Sequence, residues 1–454
     1  MAEQSRKIAL ASKIEKRRAK VVVVGLGYVG LPLAVAIAGA GHRVVGIDLN
    51  PAKVSLVNQG RCDIDDVDPA LLKSLVASGH LSASSDYRSA ADADVAVVAV
   101  PTPIDEHRVP DLMFVRAAAE GLAGAVPAGC LVILESTTYP GTTEEVLLPP
   151  FRERGFVPGK DLFVGYSPER IDPGNTTWNV SNTPKVVAGL TRDCLDLTIS
   201  FYGGFVERLV PVSTLRTAEI TKLFENIFRI VNIALVNEFQ TTCDGFGIDV
   251  WEVIDACATK PFGFMTFQPG PGLGGHCVPV DPFYLAWKAR AMNINTEFIE
   301  LAGRVNAGMP KYVLSKIDGL LNAKHQSLNG AHVSVLGVAY KKNTSDVRES
   351  PSIPLMELLA SAGAHVTYHD PHVPALSVRD KDLKSEALTA RYLATQDCTV
   401  IVADHDAIDW MLVLQYAPTV LDTRNVLGRL RPESVRPVVA APPAPRRRGA
   451  RQPG

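Results

Sequence analysis

Two changes of texture divide the chain. Through its first half, short apolar runs alternate with stretches of helical spacing: VVVV (21–24), RVVGID (43–48), DVAVVAV (94–100), CLVILES (130–136), LFVGYSP (162–168) and KVVAG (185–189). Continuous runs of this kind predict strands buried on both faces, and their alternation with helices predicts a parallel sheet covered on both sides. From Thr214 to about Asp244 the pattern predicts one long helix. That segment holds no proline or glycine, and Ile220, Leu223, Phe224, Ile227, Ile230, Val231, Ala234 and Leu235 recur at helical spacing. Helical segments continue to about Lys324, interrupted by a Gly/Pro loop at 269–282. Then HVSVLGVAY (332–340), a helix from Ser352, HVTYHD (365–370), CTVIVADHD (398–406) and PTVLDTRNV (418–426) return to strand–helix alternation. The expected architecture is α/β: two doubly wound domains, the second smaller, joined by a central helical domain with a long connecting helix.

The boundaries that follow are a basic N-terminal extension (1–20), a first α/β domain (21–213), a helical domain (214–325), a second α/β domain (326–440) and a Pro/Arg-rich, disordered tail (441–454). At 454 residues, with 46% hydrophobic and 21% charged positions, the chain has ample material for several cores. A net charge of −2 provides no basic field for nucleic acid. Seven cysteines without a CxxC pair fit a reducing compartment, so a cytoplasmic protein is expected, with no structural metal. Residues 21–41 form an uncharged run long enough to span a membrane, but Gly25, Gly27, Gly30 and Pro32 punctuate it and a strand pattern follows at once. It reads as a buried strand, turn and helix, and no membrane insertion is expected.

Four motifs carry chemistry. Gly25-x-Gly27-x-x-Gly30 follows the four-valine strand and opens a helix near Val29, the context in which such glycines let a backbone approach a pyrophosphate. Asp48 ends the next strand, 23 positions after Gly25, where a carboxylate can accept from an adenosine ribose diol and repel a 2′-phosphate. NAD is therefore favoured over NADP, with Lys53 nearby. In PGPGLGGHCVPVDP (269–282), Gly270, Gly272, Gly274 and Gly275 permit close backbone approach to an anion just before Cys277, with Asp281 four residues on. Backbone dipoles and a neighbouring cation favour a thiolate in such a place. Cys62, Cys130, Cys194, Cys243, Cys257 and Cys398 lack these surroundings and are expected to be structural. On the long helix Lys222, Asn226 and Arg229 share one stripe at i, i+4, i+7, placed opposite the apolar stripe. By spacing alone that stripe is as readily a solvated face as a site for a phosphate, a sugar hydroxyl or an oxyanion. GVAYKKNTSDVRESPS (337–352) leaves a strand carrying Lys341, Lys342 and Arg348, and reads either as a phosphate-facing loop or as a surface turn. Thr102, Thr137, Glu169 and Arg170 end strands of the first domain on the side where ligands bind.

Taken in order, GLGYVGLPLA, ESTTYPGTTEE, TKLFENIFRIVN, GGHCVPVDP and KKNTSDVRESP resemble the nucleotide-sugar 6-dehydrogenases, the family of UDP-glucose and UDP-N-acetylhexosamine dehydrogenases, over 21–427. SPERIDPGN and KPFGFMTFQPGPGLGGHCVPVDPFYLAWKAR look most like the branch acting on UDP-N-acetylglucosamine. A UDP-N-acetylmannosamine enzyme is expected to carry a His/Arg-bearing segment where this chain has Lys260–Phe267, with Lys260 its one charged residue. UDP-glucose and UDP-N-acetylmannosamine are the alternative substrates.

The resemblance implies two Rossmann-like domains and a double oxidation of a sugar C6 alcohol to the acid, using two NAD. It implies Cys277 as the nucleophile of a thiohemiacetal and thioester, Lys222 as the residue holding an oxyanion or moving a proton, Asn226 as its companion, Asp281 as the acid assisting water, and Thr137 and Glu169 as residues that order water. By the same likeness Tyr28, Val29, Asp48, Lys53, Thr102, Thr137 and Arg348 contact NAD beside the glycine motif. Glu169, Arg170, Ile171, Lys222, Asn226, Arg229, Lys260, Gly274, Tyr340 and Lys341 line or border the UDP-sugar site. A homodimer through the central helices and a part in surface polysaccharide synthesis are also implied. The rivals are a single-step hydroxy-acid-type dehydrogenase, which needs neither Cys277 nor the third domain, and a dinucleotide sensor without chemistry, for which Lys222, Cys277 and Asp281 have no use.

Overall fold

The structure, a computed structural model, describes residues 2–430 apart from 65, 106, 173, 174, 176, 276 and 380. The expected disordered tail and the motif residues Pro173, Gly174 and His276 lie outside the described residues. The chain divides into two compact units, 1–227 with 280–296 and 228–279 with 297–454. No described helix is long and apolar enough to cross a membrane.

The first unit is built on eight strands: β1 (Lys20–Val24), β2 (Arg43–Ile47), β3 (Leu81–Ser84), β4 (Val95–Val98), β5 (Leu131–Leu134), β6 (Phe163–Tyr166), β7 (Lys185–Gly189) and β8 (Leu209–Pro211). They lie in the order β3-β2-β1-β4-β5-β6-β7-β8, parallel throughout except where β6 meets β7. The six-stranded part has the 3-2-1-4-5-6 order of a dinucleotide-binding sheet. The valine run explains the layering. Val21 and Val23 point into one core with helices Gly30–Gly39 and Arg192–Tyr202, while Val22 and Val24 point into the other with helix Met113–Ala123. Strands buried on both faces need no polar alternation, which is why they were legible as apolar blocks. LSAS and LVP, which form β3 and β8, are too short and too exposed to carry that signal.

The basic segment at the N-terminus is not a free extension. Ala2–Glu15 is a helix whose Leu10 and Ile14 are buried, and Lys7 pairs with Asp193 and Asp196 on helix Arg192–Tyr202. Most of its residues stay exposed and only Leu10 and Ile14 are buried, so composition hid its packing.

In the second unit a four-stranded parallel sheet has the order β10-β9-β13-β14, from β9 (His332–Leu336), β10 (His365–His369), β13 (Cys398–Ile401) and β14 (Val420–Asp422). Between β10 and β13 stands an antiparallel hairpin of β11 (Ala375–Val378) and β12 (Lys381–Lys384), each four residues long and the second polar, too short to be read as strands. Val313, Ile317 and Leu321 of helix Glu297–Asn322 pack into the sheet's core with Leu355, Met356 and Leu359 of helix Ser352–Ser361.

The long helix runs from Leu215 to Phe246, as the spacing predicts. Its faces are not as expected. Asn226 is 8% exposed and shares the buried arc with Leu223, Ile227 and Ile230, with Lys222 half-buried beside it, whereas Ile220, Phe224 and Leu235 of the apolar stripe are exposed. Arg229 is exposed. A polar group enters such an arc only with a partner, and Asn226 has one in Asp281.

Candidate functional site

In the first unit the glycine turn shows why each glycine stands where it does. Gly25 has φ +93°, and a Cβ there would lie 2.4 Å from the Ala99 carbonyl oxygen. At Gly30 a Cβ would lie 1.8 Å from the Gly25 oxygen, so only glycine lets the helix Gly30–Gly39 start against the turn. Gly27 differs: a Cβ there would meet nothing within 4 Å. Two glycines are demanded by the protein's own packing and the third faces open space, with room for a phosphate to approach the backbone. Asp48 accepts from the Leu26 N–H and the Asn50 N–H (2.9 Å each) and stays half-exposed, keeping lone pairs for a ribose diol. These residues fit NAD. Tyr28 is exposed and Lys53 half-buried in the same region, and the Thr102 hydroxyl donates to the Thr137 carbonyl (2.9 Å), joining the ends of β4 and β5. Tyr284 donates its hydroxyl to the Thr102 carbonyl, holding that loop from helix Asp281–Arg290.

The same unit gathers a polar cluster. The Asn226 amide donates to Asp281 (2.6 Å), which is 4% exposed at the start of its helix. Burial pushes the Asp281 carboxyl up to about 7, opposed by the Lys222 ammonium and the Asn226 hydrogen bond. An acid poised near neutrality can take up and return a proton. Glu169 sits with one oxygen accepting from the Arg170 and Ile171 N–H groups (2.6 Å each) and the other facing Lys185 at 3.4 Å. Burial raises its pKa, but Lys185, the two N–H groups and Lys222 outweigh burial and leave it below the ordinary value, a carboxylate. Lys222 therefore lies within electrostatic reach of both acids, one near neutrality and one ionised. Arg170 is engaged inside the fold, by Glu225 (2.6 Å) and the Pro184 carbonyl (2.6 Å).

The second unit holds the remaining expected site residues. The loop of Gly270, Gly272, Gly274 and Gly275 packs on the segment after β9. A Cβ on Gly274 would meet Tyr340 at 2.6 Å, one on Gly275 would meet the Tyr340 ring at 2.8 Å, and the Gly275 N–H donates to the Arg348 carbonyl (3.0 Å). These glycines serve close packing of two loops, and Cys277, half-buried, follows at their end. The Arg348 side chain is paired with Asp346 (2.6 Å), Lys341 is half-buried, and Lys260 is exposed with its ammonium over Phe262. Of the other cysteines, Cys130, Cys194, Cys243 and Cys398 are buried, Cys62 is half-buried and Cys257 is exposed.

Three groups escaped the sequence reading. Glu219 is buried and accepts from the Gly141 and Thr143 N–H groups, pinning the turn after Thr137 to the long helix. Glu135 and Lys185, 1% and 4% exposed, pair at 3.2 Å. The available signal was a charge at the end of one buried strand, CLVILES, and at the head of another, KVVAG.

A sheet of this order with such a glycine turn, and a buried amide–carboxyl pair beside a half-buried lysine, defines an NAD-binding α/β enzyme core. Models of the UDP-glucose/GDP-mannose dehydrogenase family match in three parts: the NAD binding domain at residues 19–206, the central domain at 216–308 and the UDP binding domain at 334–429. The chain belongs to this family and carries its NAD binding domain. Among relatives, UDP-N-acetyl-D-glucosamine 6-dehydrogenase of Pseudomonas aeruginosa is 39% identical over 358 residues, 78% of this chain and 83% of that one. A UDP-N-acetyl-D-mannosamine dehydrogenase of Methanococcus maripaludis is 33% identical over 425 residues, 90% and 93% of the two chains. Among solved structures, the UDP-D-ManNAc dehydrogenase of Pyrococcus horikoshii superposes with a TM-score of 0.82 at 29% identity, covering 94% and 97% of the two chains.

Proposed function

We propose that this chain oxidises the C6 alcohol of UDP-N-acetylglucosamine to the uronic acid, in two NAD-dependent steps through a thioester on Cys277. The observation that carries this is the buried Asn226–Asp281 pair, its carboxyl near neutrality, with half-buried Lys222 beside it. NAD, when bound, supplies the acceptor for a hydride from C6. Lys222 holds the oxygen that gains negative charge as C6 is oxidised, and Asp281 receives the hydroxyl proton, oriented by Asn226. The Cys277 thiolate adds to the aldehyde carbon, giving a thiohemiacetal that keeps the aldehyde from escaping and restores a tetrahedral carbon bearing a hydrogen. After the second oxidation C6 is a thioester. Glu169, ionised, and Thr137 order a water whose oxygen adds to C6 as Asp281, its earlier proton released to solvent, takes up the water proton; the C–S bond breaks, and the sulfur leaves as thiolate.

Gly25, Gly27, Gly30, Tyr28, Val29, Asp48, Lys53, Thr102 and Arg348 belong in this reading to the NAD site. Arg170, Ile171, Arg229, Lys260, Gly274, Tyr340 and Lys341 belong to the UDP-sugar site. The exposed apolar residues Ile220, Phe224, Phe228 and Leu235 of the long helix support a homodimer formed through it. The domain limits of the sequence reading, a cytoplasmic location and a place in polysaccharide synthesis belong to the same proposal.

The 39% identity to the glucosamine enzyme and the lone charge in Lys260–Phe267 support the N-acetylglucosamine substrate. The relative with the broader coverage is named for the mannosamine epimer, and that is the second reading. An NADH-production screen with UDP-glucose, UDP-galactose, UDP-N-acetylglucosamine and UDP-N-acetylmannosamine separates them. Preference for UDP-N-acetylglucosamine with two NADH per sugar is expected, and equal turnover of another sugar overturns the substrate. Cys277→Ala is expected to abolish acid formation while keeping NAD affinity; acid formed at the unsubstituted rate overturns the thioester.

A further inference from the structure

Next to Glu169 lies a buried polar chain that the proposed mechanism does not use. The Tyr202 hydroxyl donates to Glu135 Oε1. The Lys185 ammonium stands between Glu135 Oε1 (3.2 Å) and Glu169 Oε2 (3.4 Å), donates to the Pro168 carbonyl (3.4 Å) and sits 5.2 Å above the Tyr202 ring. Glu135 Oε2 has no hydrogen-bond partner among the described residues. All these groups come from the first unit: Glu135 from the end of β5, Glu169 from just beyond β6, Lys185 from the head of β7, and Tyr202 from helix Arg192–Tyr202.

A charge this deep is tolerated only when compensated, and an isolated lysine would deprotonate instead. Here one ammonium faces two carboxyls. It cannot fully satisfy both, so they divide: the carboxyl with additional donors stays ionised and the other retains its proton more readily. Glu169 has the additional donors, two backbone N–H groups and the field of Lys222, and is held below the ordinary carboxylate range. Glu135 has only the phenol and the shared lysine, and burial pushes it up to about 7. Lys185 keeps its proton firmly, because the two carboxyls outweigh its burial.

We infer that Lys185 is the positioning residue for Glu169: anchored by Glu135 and Tyr202, it fixes one carboxylate oxygen and keeps that side chain ionised and ready to accept from water. This rests on the reading of Glu169 as a water-ordering group in the UDP-sugar site. It assigns a role in the reaction to a residue that touches neither the substrate nor NAD. Charged and titratable groups facing Glu169 are Lys185, Glu135 and Tyr202 from the buried chain and Lys222 from the long helix, so removing Lys185 leaves Lys222 and the Arg170 and Ile171 N–H groups to hold the carboxylate.

The test is Lys185→Met, with Lys185→Arg as the conservative variant, in the full chain. Two quantities are followed against pH. One is the 13C carboxyl resonance of Glu169, assigned by its loss in Glu169→Gln; the other is kcat/KM for NADH formation with the preferred UDP-sugar. With an opposite charge removed at this range, the Glu169 resonance is expected to titrate at least ~1 pH unit higher. Asp281, near neutrality, sets the first acid limb of kcat/KM; the raised Glu169 adds a second, steeper fall below it, and arginine restores both. A purely structural lysine would lower the melting temperature but leave the Glu169 titration in place, and that result overturns the inference. A resonance that moves without that second fall in rate upholds Lys185 and removes Glu169 from the water-ordering role, so the two readings fail separately. Should Lys185→Met not fold, Glu135→Gln/Lys185→Met removes the pair as a neutral unit, and its Glu169 titration is compared with that of Glu135→Gln alone.

Discussion

Gly25 and Gly337 occupy the same place in two different sheets. Each follows the first strand of its unit, β1 or β9, with a positive φ, +93° and +79°. Each donates its N–H to the last carbonyl of the neighbouring strand, Ile47 (2.7 Å) or His369 (2.9 Å), and a Cβ on either would meet an alanine carbonyl, Ala99 or Ala403, at 2.4 Å. Each turn is closed by an aspartate one residue beyond that strand. There the likeness ends. Asp48 takes two N–H groups and is half-exposed. Asp370, 2% exposed, takes the N–H groups of Val338, Ala339, His372 and Val373, and His405 Nε2 lies 3.1 Å away.

The first carboxylate keeps capacity for a ribose diol; the second has spent its capacity on the protein. Ala339 replaces the open glycine, and the next helix waits until Ser352, leaving a loop that carries Tyr340, Lys341 and Arg348. One backbone device has thus been used once as a ligand cradle and once as a clasp for a loop. His405 extends the clasp, since its Nδ1 accepts from the Asn343 N–H (2.9 Å) at the tip of that loop.

The sharpest way to break this comparison is to neutralise each aspartate. Asp370→Asn leaves His405 and buried N–H groups short of an acceptor, and the second unit is expected to lose about 3 kcal/mol, the scale for breaking a buried pair. Asp48→Asn is expected to cost under about 1 kcal/mol of stability and to weaken NAD roughly tenfold, a lost hydrogen bond to a charged group. Thermal melting and NAD titration of both variants decide it; equal melting losses would dissolve the distinction.

A smaller effect follows from acid. Burial raises the pKa of Asp370, but His405 and the N–H donors overcome it and leave it below its ordinary value. Its stabilisation is therefore complete above the unfolded carboxylate range and is lost as pH falls through the lower folded value, below about pH 4. The second unit should lose protection at acid pH sooner in His405→Gln than in the parent, as hydrogen exchange across β9 and β10 would read. Exchange unchanged by that substitution would remove His405 from the clasp.

The smallest effect is expected at Gly27→Ala. With open space around it, stability should change by under about 0.5 kcal/mol, while NAD affinity falls because the methyl occupies the pyrophosphate's approach. A marked loss of stability would contradict the open space seen there.

The apolar blocks of the first sheet, the long proline-free helix and the glycine turn were legible because each rests on local chemistry: a valine run, a 3.6-residue period, and a φ that only glycine holds cheaply. The motifs also placed the chain in its family. Short edge strands such as LSAS and KDLK were not legible, because what makes them strands is the neighbour they pair with. The lysine stripe on the long helix was legible as a stripe but not in its direction. Ile220 and Phe224 are as apolar as Leu223 and Ile227, and only packing decided which pair would be buried.

Sequence alone therefore determined where backbone turns tightly and which side chains bring thiol, acid and cation to the chain. Tertiary structure alone decided the electrical state of those groups. Asp281 stands near neutrality, Glu169 remains a carboxylate and Asp370 is sealed, although all three are carboxylic acids with similar values in water. The reason is that a charge's cost depends on the water removed and the partners brought up around it, and these partners come from positions far apart in the chain.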